Sequence, residues 1–209
     1  MPEPQSPAGP IVLSFDNLGE ASELERGTRS DRKRPGSHPS VTVALPRLLD
    51  ELDALELRAT FLIEAINSEL NPGAVRAIIS GGHEIAVHGW QHEPWSELPA
   101  ARERELLRRA RDAFRGLGVD VRGFRPPGGE LTERSPATLG ELGFEWVSPA
   151  SRDPEPFACG GLTFIPFVWE LVDAYHLMPR FASLRERHGA PALRRRNSFR
   201  AVTQRDEFV

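Results

Sequence analysis

The sequence lacks most of the features that mark secreted, membrane-bound or disulfide-stabilised proteins. Its 209 residues include one cysteine, Cys159, which excludes an internal disulfide and fits a reducing compartment. No apolar run approaches the length of a membrane span, and residues 1–10 lack the apolar core of a secretory signal. We therefore expect a soluble, cytoplasmic protein that has no membrane partner.

The sequence also lacks a large excess of either positive or negative charge. The formal net charge of -4 does not suggest a nucleic-acid partner. We interpret the arginine run at 194–196 as part of a solvated tail, with an anion-binding patch as the alternative. The chain is long enough for one sizeable core, so we expect a single domain over residues 1–209, with flexible segments at 1–9 and about 190–209. The sequence does not choose between a monomer and a homo-oligomer.

Apolar runs alternate with helical stripes along the chain. The runs that predict strands lie at 11–15, 59–63, 84–87, 123–125, 144–147 and 162–169. The stripes that predict helices lie at 41–55, 72–79, 95–117 and 132–142. This order predicts an α/β fold with parallel strands, most simply a barrel or part of one. Residues 27–39 predict a mobile loop in which His38 is a surface residue, and no element is predicted after Gly189.

Polar residues follow three of these runs, where the carboxyl ends of parallel strands usually carry site chemistry. Asp16 could act as a general base, and Arg125 could orient a carboxylate because a guanidinium does not lose its charge. His88 and His92 would share one face if a helical turn begins at His88, which suits two nitrogen ligands of a metal. Each residue also has a structural alternative: a turn cap, a surface ion pair or a packed histidine.

These motifs resemble the polysaccharide deacetylase family, carbohydrate esterase family 4. The matching stretches are Ser-Phe-Asp-Asn at 14–17, His-Gly-Trp-Gln-His at 88–92 and Arg-Pro-Pro-Gly at 125–128. The resemblance covers roughly residues 10–178, and its later part is similar to the short allantoinase-like and peptidoglycan-deacetylase-like members. It implies a distorted (β/α) barrel with seven strands and a zinc-type metal held by one aspartate and two histidines. It also implies N-deacetylation of acetylated amino sugars.

Residue by residue, the resemblance implies that Asp16 is the catalytic base, that Arg125 positions it, and that His88 and His92 bind the metal. Asn17 stands where the family has its metal-binding aspartate, and an amide oxygen brings no negative charge. Three alternatives stay open: a weaker site that uses Asn17, a ligand supplied by Asp16 or Glu20, or chemistry without metal. The expected metal is zinc, with nickel or cobalt as alternatives.

The family's histidine acid has no clear counterpart. His176 is the candidate for this catalytic acid, with Asp173 orienting it or binding substrate, and the alternatives are a half-buried histidine and a helix cap. The candidates for substrate binding are Glu20, Trp90, Pro127 and Trp169, with Trp95 as a further aromatic. For the tryptophans, core packing is the alternative.

The function expected from the resemblance is hydrolysis of a non-peptide carbon–nitrogen bond, most simply removal of an N-acetyl group. Without a secretory signal, we expect a small sugar or amide substrate in place of a cell-wall polymer. The alternative is a metal-free or non-hydrolytic family descendant that carries out ring-opening or cyclising amide chemistry or binds a ligand. A third interpretation, a regulatory module with a vestigial site, is disfavoured by the intact Asp16, His88, His92 and Arg125.

Overall fold

The computed structural model describes residues 11–28 and 34–189, and its contacts divide the chain into two compact units. The first unit comprises residues 1–149 and 156–165, and the second comprises residues 150–155 and 166–209. The expected flexible ends and the arginine run at 194–196 lie outside the described residues, as do residues 29–33 of the expected loop. This division leaves the single domain a prediction.

Seven short strands of the first unit form one sheet. In chain order they are β1 (Ser14–Asp16), β2 (Thr60–Ile63), β3 (Glu84–Val87), β4 (Gly123–Phe124), β5 (Trp146–Val147), β6 (Phe157–Cys159) and β7 (Leu162–Phe164). Their order in the sheet is β1-β2-β3-β4-β5-β7-β6, and every neighbouring pair is parallel except β6 and β7. The predicted α/β class is confirmed, and the sheet has the number of strands, seven, that the family resemblance implies.

The first unit also contains helices. They are α1 (Ala21–Glu25), α2 (Leu45–Ala54), α3 (Asn67–Leu70), α4 (Pro72–Ser80), α5 (Ala100–Arg115) and α6 (Ser135–Glu141). Two of them, α4 and α5, contact β3. The longest, α5, buries Leu106, Leu107, Ala110 and Phe114, whose helical spacing places them on one face. Among the described residues, no helix is long and apolar enough to cross a bilayer.

Proline decides two of the differences from the predicted elements. The helix predicted at 95–117 is interrupted, because Pro99 is extended and α5 begins directly after it. A separate 3₁₀ turn, Trp95–Glu97, precedes it. The apolar run at 162–169 forms a strand only as far as Phe164, and Pro166 follows.

Two further differences concern the edges of the sheet. Strand β1 begins at Ser14, because Ile11 and Val12 are 91% and 63% exposed and do not belong to the buried run. Strand β6 was not predicted. It forms an antiparallel hairpin with β7 across Gly160 and Gly161, whose positive φ angles of 57° and 81° suit a two-residue hairpin turn. The Gly-Gly pair was the available signal.

The second unit contains short helical elements. These are the 3₁₀ turns Trp169–Leu171 and Pro179–Phe181 and the helices α7 (Asp173–Leu177) and α8 (Ala182–Arg187). Tyr175 is fully buried, and its ring lies 5.1 Å from that of His176 and 5.7 Å from that of His188. These contacts form a small aromatic cluster within the unit.

Candidate active site

Five neighbouring parallel strands of the first unit end in, or are followed directly by, polar residues. Asp16 ends β1, Glu64 follows β2, His88 follows β3, Arg125 follows β4 and Ser148 follows β5. Parallel strands present their carboxyl ends at one edge of the sheet, so these residues gather there. The edge is the candidate active site.

An ion pair joins the first and fourth residues of this row, Asp16 and Arg125. Arg125 donates from Nη1 to Asp16 Oδ1 at 2.6 Å and to Ser14 Oγ at 3.1 Å. Its Nε and Nη2 both donate to Ser148 Oγ, at 3.2 and 2.9 Å. The arginine is only 8% exposed, so these contacts fix its plane and the orientation of Asp16. The structure thus brings together the predicted base and the residue predicted to orient it.

A cavity of about 210 Å³ borders Arg125. Glu84 lies in its wall and accepts hydrogen bonds from Thr60 Oγ1 at 2.8 Å and from Trp146 Nε1 at 3.2 Å. The volume of the cavity is enough for roughly seven water molecules at about 30 Å³ each. Arg125 therefore contacts Asp16 and also borders a cavity that Glu84 lines.

The two histidines are neighbours, but they do not lie on a helix. The rings of His88 and His92 are edge-on, with centroids 5.1 Å apart. Gly89 and His92 have φ angles of 76° and 74°, which a right-handed helical turn does not allow. The expectation of a helical turn from His88 is therefore wrong. Spacing alone could not decide this, because an irregular loop can also bring residues four apart together.

The hydrogen bond of His88 determines which nitrogen of its ring carries the proton. Nδ1 lies 2.8 Å from the carbonyl oxygen of Arg125, which can only accept, so we assign the proton to Nδ1 and a lone pair to Nε2. Burial lowers the pKa of His88 below its usual value, although the Asp16 carboxylate raises it in part. The neutral form, able to bind a cation or accept a proton, is therefore favoured.

Glu93 shapes the histidine loop, and sequence reasoning did not find it. This buried carboxylate accepts hydrogen bonds from the backbone N–H of Trp90 at 2.9 Å and of Gln91 at 3.0 Å. A Cβ on Gly89 would lie 2.7 Å from Glu93 Oε2, so the loop leaves no room for a side chain there. The signal was an acid directly after the second histidine.

Glu64 is a second missed carboxyl group. It is fully buried, and burial together with the charges of Asp16 and Glu93 raises its pKa to about 8, although the N–H of Leu18 opposes this shift. Glu64 is therefore mostly protonated at neutral pH. An acid directly after the apolar run at 59–63 was the signal in the sequence.

The substrate-binding candidates of the first unit are mostly enclosed. Glu20 is buried and accepts a hydrogen bond from the Gly36 N–H at 2.7 Å. Trp90 is 3% exposed, and the guanidinium of Arg109 lies 3.5 Å from the centre of its ring. Trp95 and Pro127 are also buried. In this structure neither tryptophan presents a ring face on which a sugar could stack.

The remaining candidates belong to the second unit. Asp173 is exposed at the start of α7, and His176 Nε2 lies 2.6 Å from the carbonyl oxygen of Glu170. The half-buried Trp169 packs against Phe167 and Phe181. These contacts lie within the second unit, and the predicted roles of Asp173, His176 and Trp169 stay predictions.

The metal-site residues fit the expected ion only in part. His88 and His92 supply two adjacent imidazoles, but the described part of the chain contains no group of three His, Cys, Asp or Glu that could hold a metal. Asn17 occupies the expected carboxylate position with φ of 66°, a conformation that asparagine tolerates better than most residues. Two nitrogens and a neutral amide do not make the usual donor set for zinc.

Comparison with known proteins identifies the family. The polysaccharide deacetylase family model matches residues 5–147, so the chain belongs to this family. It is 27% identical over 110 residues to the peptidoglycan-N-acetylglucosamine deacetylase PgdA of Listeria monocytogenes, covering 52% of this chain and 23% of the relative. It is 28% identical over 131 residues to a peptidoglycan-N-acetylglucosamine deacetylase of Bacillus cereus, covering 62% and 60%. The chain thus spans about a quarter to three fifths of the length of these curated relatives.

Solved structures agree with the fold. An inferred polysaccharide deacetylase of Mycobacterium smegmatis is 28% identical, with a TM-score of 0.72 over 85% of this chain and 69% of the other. PuuE allantoinase, 18% identical with a TM-score of 0.61, shares the fold. The predicted family is confirmed, and the curated relatives named above are deacetylases, a class of enzyme that hydrolyses non-peptide carbon–nitrogen bonds. The cytoplasmic location stays a prediction.

Proposed function

We propose that the protein removes the acetyl group from an N-acetylated amino sugar. Family membership supports this reaction, as do relatives named for deacetylation of N-acetylglucosamine in peptidoglycan. The single observation that carries the proposal is the Asp16–Arg125 ion pair beside the neutral ring of His88. These residues supply a base, a group that orients it and a lone-pair donor, which are among the parts that hydrolysis of an amide by water uses.

In the proposed reaction Asp16 accepts a proton from the attacking water. The water oxygen bonds to the acetyl carbon, and the proton held by Asp16 passes to the amide nitrogen as the carbon–nitrogen bond breaks. The amine and acetic acid, which ionises to acetate, then leave. Arg125 holds one carboxylate oxygen of Asp16 in place through its Nη1. His88 Nε2 offers a lone pair, so it can bind a cation or accept a polar hydrogen of the substrate.

The test is acetate release from N-acetylglucosamine oligomers, with and without added zinc. Asp16→Asn should lower kcat/KM by about 100-fold or more, because a neutral amide cannot act as the base. Arg125→Met should lower it by about 10- to 100-fold, because the base loses its orientation. Full turnover by Asp16→Asn would exclude this residue as the base.

Arg122→Met is the matched control. Arg122 directly precedes β4, whereas Arg125 directly follows it, and the Arg122 side chain forms an exposed ion pair with Glu145 at 3.4 Å. Exposed pairs contribute little, so this variant should keep wild-type activity.

Asn17 favours a second candidate function, a family member that binds an N-acetylated ligand without metal-dependent turnover. The described residues lack a three-ligand group, and an amide cannot replace the charge of a carboxylate. Zinc titration of the wild type, Asn17→Asp and Asn17→Gly tests this candidate. Glycine keeps the left-handed backbone but supplies no ligand, so only the aspartate should raise zinc affinity, by about tenfold or more. The second candidate would be established if the wild type bound the ligand without releasing acetate and Asn17→Asp did release acetate.

A further inference from the structure

The backbone of Leu18 is held from both sides by side chains of another segment. Its N–H donates to Glu64 Oε2 at 3.1 Å, and its carbonyl oxygen accepts from Asn67 Nδ2 at 3.0 Å. Asn67 Nδ2 also donates to the Glu64 carbonyl oxygen at 3.0 Å, and Asn71 Nδ2 donates to Asn67 Oδ1 at 2.7 Å. We call Glu64 and Asn67 the Leu18 clamp.

The clamp acts on a short, sharply bent stretch. Asn17 and Gly19, on either side of Leu18, both have left-handed φ angles, 66° and 67°. A Cβ on Gly19 would lie 2.9 Å from Asn67 Oδ1 and 2.8 Å from Asn71 Nδ2, so the chain is pressed against the clamp. Asp16 lies two residues before Leu18, at the point where β1 ends. A shift of Leu18 would therefore be passed directly to the proposed base.

Glu64 performs this role as an uncharged acceptor. Its side chain is fully buried, Oε2 accepts the Leu18 N–H, and Oε1 has no hydrogen-bond partner among the described residues. Asp16 and Glu93 are the charged groups that act on it most strongly, and both are acidic. A protonated acid holds Leu18 without adding a third negative charge beside Asp16.

We propose that Glu64 and Asn67 are positioning residues, which fix the Leu18 backbone and thereby place Asp16 for its reaction. The catalytic part of this inference rests on the proposed deacetylation, whereas the structural part does not. No contact of Glu64 with substrate is required, since it acts through Leu18.

The experiment compares Glu64→Gln and Glu64→Leu with the wild type. Glutamine keeps an uncharged oxygen acceptor, so kcat should stay within about threefold, whereas leucine removes the acceptor and should lower kcat about 10- to 100-fold with little change in KM. Hydrogen exchange at the Leu18 amide supplies a readout apart from activity. It should be about tenfold faster or more in Glu64→Leu and unchanged in Glu64→Gln.

Glu103→Leu is the matched control. Glu103 is also fully buried with Oε1 lacking a hydrogen-bond partner within the described residues, but its Oε2 accepts from Thr132 Oγ1 at 2.8 Å, away from Leu18. Equal kcat and equal Leu18 exchange in Glu64→Leu and Glu103→Leu would overturn the clamp. If the wild type releases no acetate, the deacetylation proposal fails, while the exchange rates still decide whether the clamp exists. If Glu64→Leu does not fold, Asn67→Ala in the same two assays decides the question.

Discussion

Replacing Gly123 by alanine should destabilise the protein by about 4 kcal/mol, because the new methyl group would occupy the space of an indole ring. Gly123 lies in β4 directly opposite Trp146 of β5. An ideal Cβ on Gly123 would lie 1.9 Å from Cζ2, 2.0 Å from Cε2 and 2.4 Å from Cη2 of that tryptophan. Carbon atoms pack at about 3.5–4.0 Å, so the ring would have to move by roughly 1.5–2 Å.

Two losses make up this magnitude. Overpacking of a buried contact costs about 1–3 kcal/mol and occasionally more. The displaced ring also loses the hydrogen bond from Trp146 Nε1 to Glu84, 3.2 Å long, and a bond to a charged group contributes about 1.5–3 kcal/mol. The sum of about 4 kcal/mol is a large share of the stability of an ordinary domain, which is about 5–15 kcal/mol.

Urea unfolding followed by tryptophan fluorescence measures the effect, and Gly140→Ala provides the control. Gly140 lies inside α6, where an added Cβ would meet no described atom within 4 Å. Alanine there should stabilise the protein by about 0.5–1 kcal/mol, because it lowers the entropy of the unfolded chain and favours the helix. If Gly123→Ala unfolded within about 0.5 kcal/mol of the wild type, the rigid packing of Trp146 on β4 would be refuted.

Three further predictions concern the carboxyl edge of the sheet. The pKa of Glu64 is raised from 4.5 to about 8 in the folded protein. The contribution of Glu64 to the free energy of unfolding is therefore fully present below pH 4.5 and is lost as pH rises towards 8. Between pH 4.5 and 7 the wild type should therefore lose about 3 kcal/mol relative to Glu64→Gln in urea unfolding, and parallel pH profiles would contradict the raised pKa. Because burial lowers the pKa of His88, the contribution of His88 to the free energy of unfolding is lost as pH falls below 6.5. In that range the free energy of unfolding of His88→Gln should therefore depend less on pH than that of the wild type. Gly89→Ala should destabilise the protein by about 2 kcal/mol and lower acetate release, because φ is positive there and the Cβ would meet Glu93; unchanged stability and activity would contradict this packing.

The fold was largely predictable because a parallel sheet buried on both faces produces uninterrupted apolar runs. The strand Glu84–Val87 was predicted with its exact bounds. Strand ends depend on exposure, which periodicity does not show, and this explains the early start predicted for β1. The antiparallel strand β6 is exposed at all three of its residues, so it has no buried run to reveal it.

The residues of the candidate site could be predicted where their role follows from the residue type. They could not be predicted where the role depends on which backbone group the folded chain brings beside them. Asp16 and Arg125 carry recognisable chemistry and stand directly at strand ends. Glu64 and Glu93 act through backbone N–H groups of other residues, and only the folded chain shows which N–H they reach. The geometry of His88 and His92 could not follow from their spacing alone, since the left-handed backbone of Gly89 and His92 decides it.

The Asp16–Arg125 ion pair has a consequence for the order in which the folding chain assembles the site proposed for deacetylation. Its partners are 109 residues apart in sequence, so the pair closes a long loop that costs entropy before any contact repays it. Parallel sheets fold slowly for the same reason. No folding intermediate that lacks docked β4 can contain the pair, even if β1, β2 and β3 are already joined. Recovery of turnover after dilution from denaturant should therefore lag behind recovery of helical signal, and it would time the arrival of β4 in the sheet.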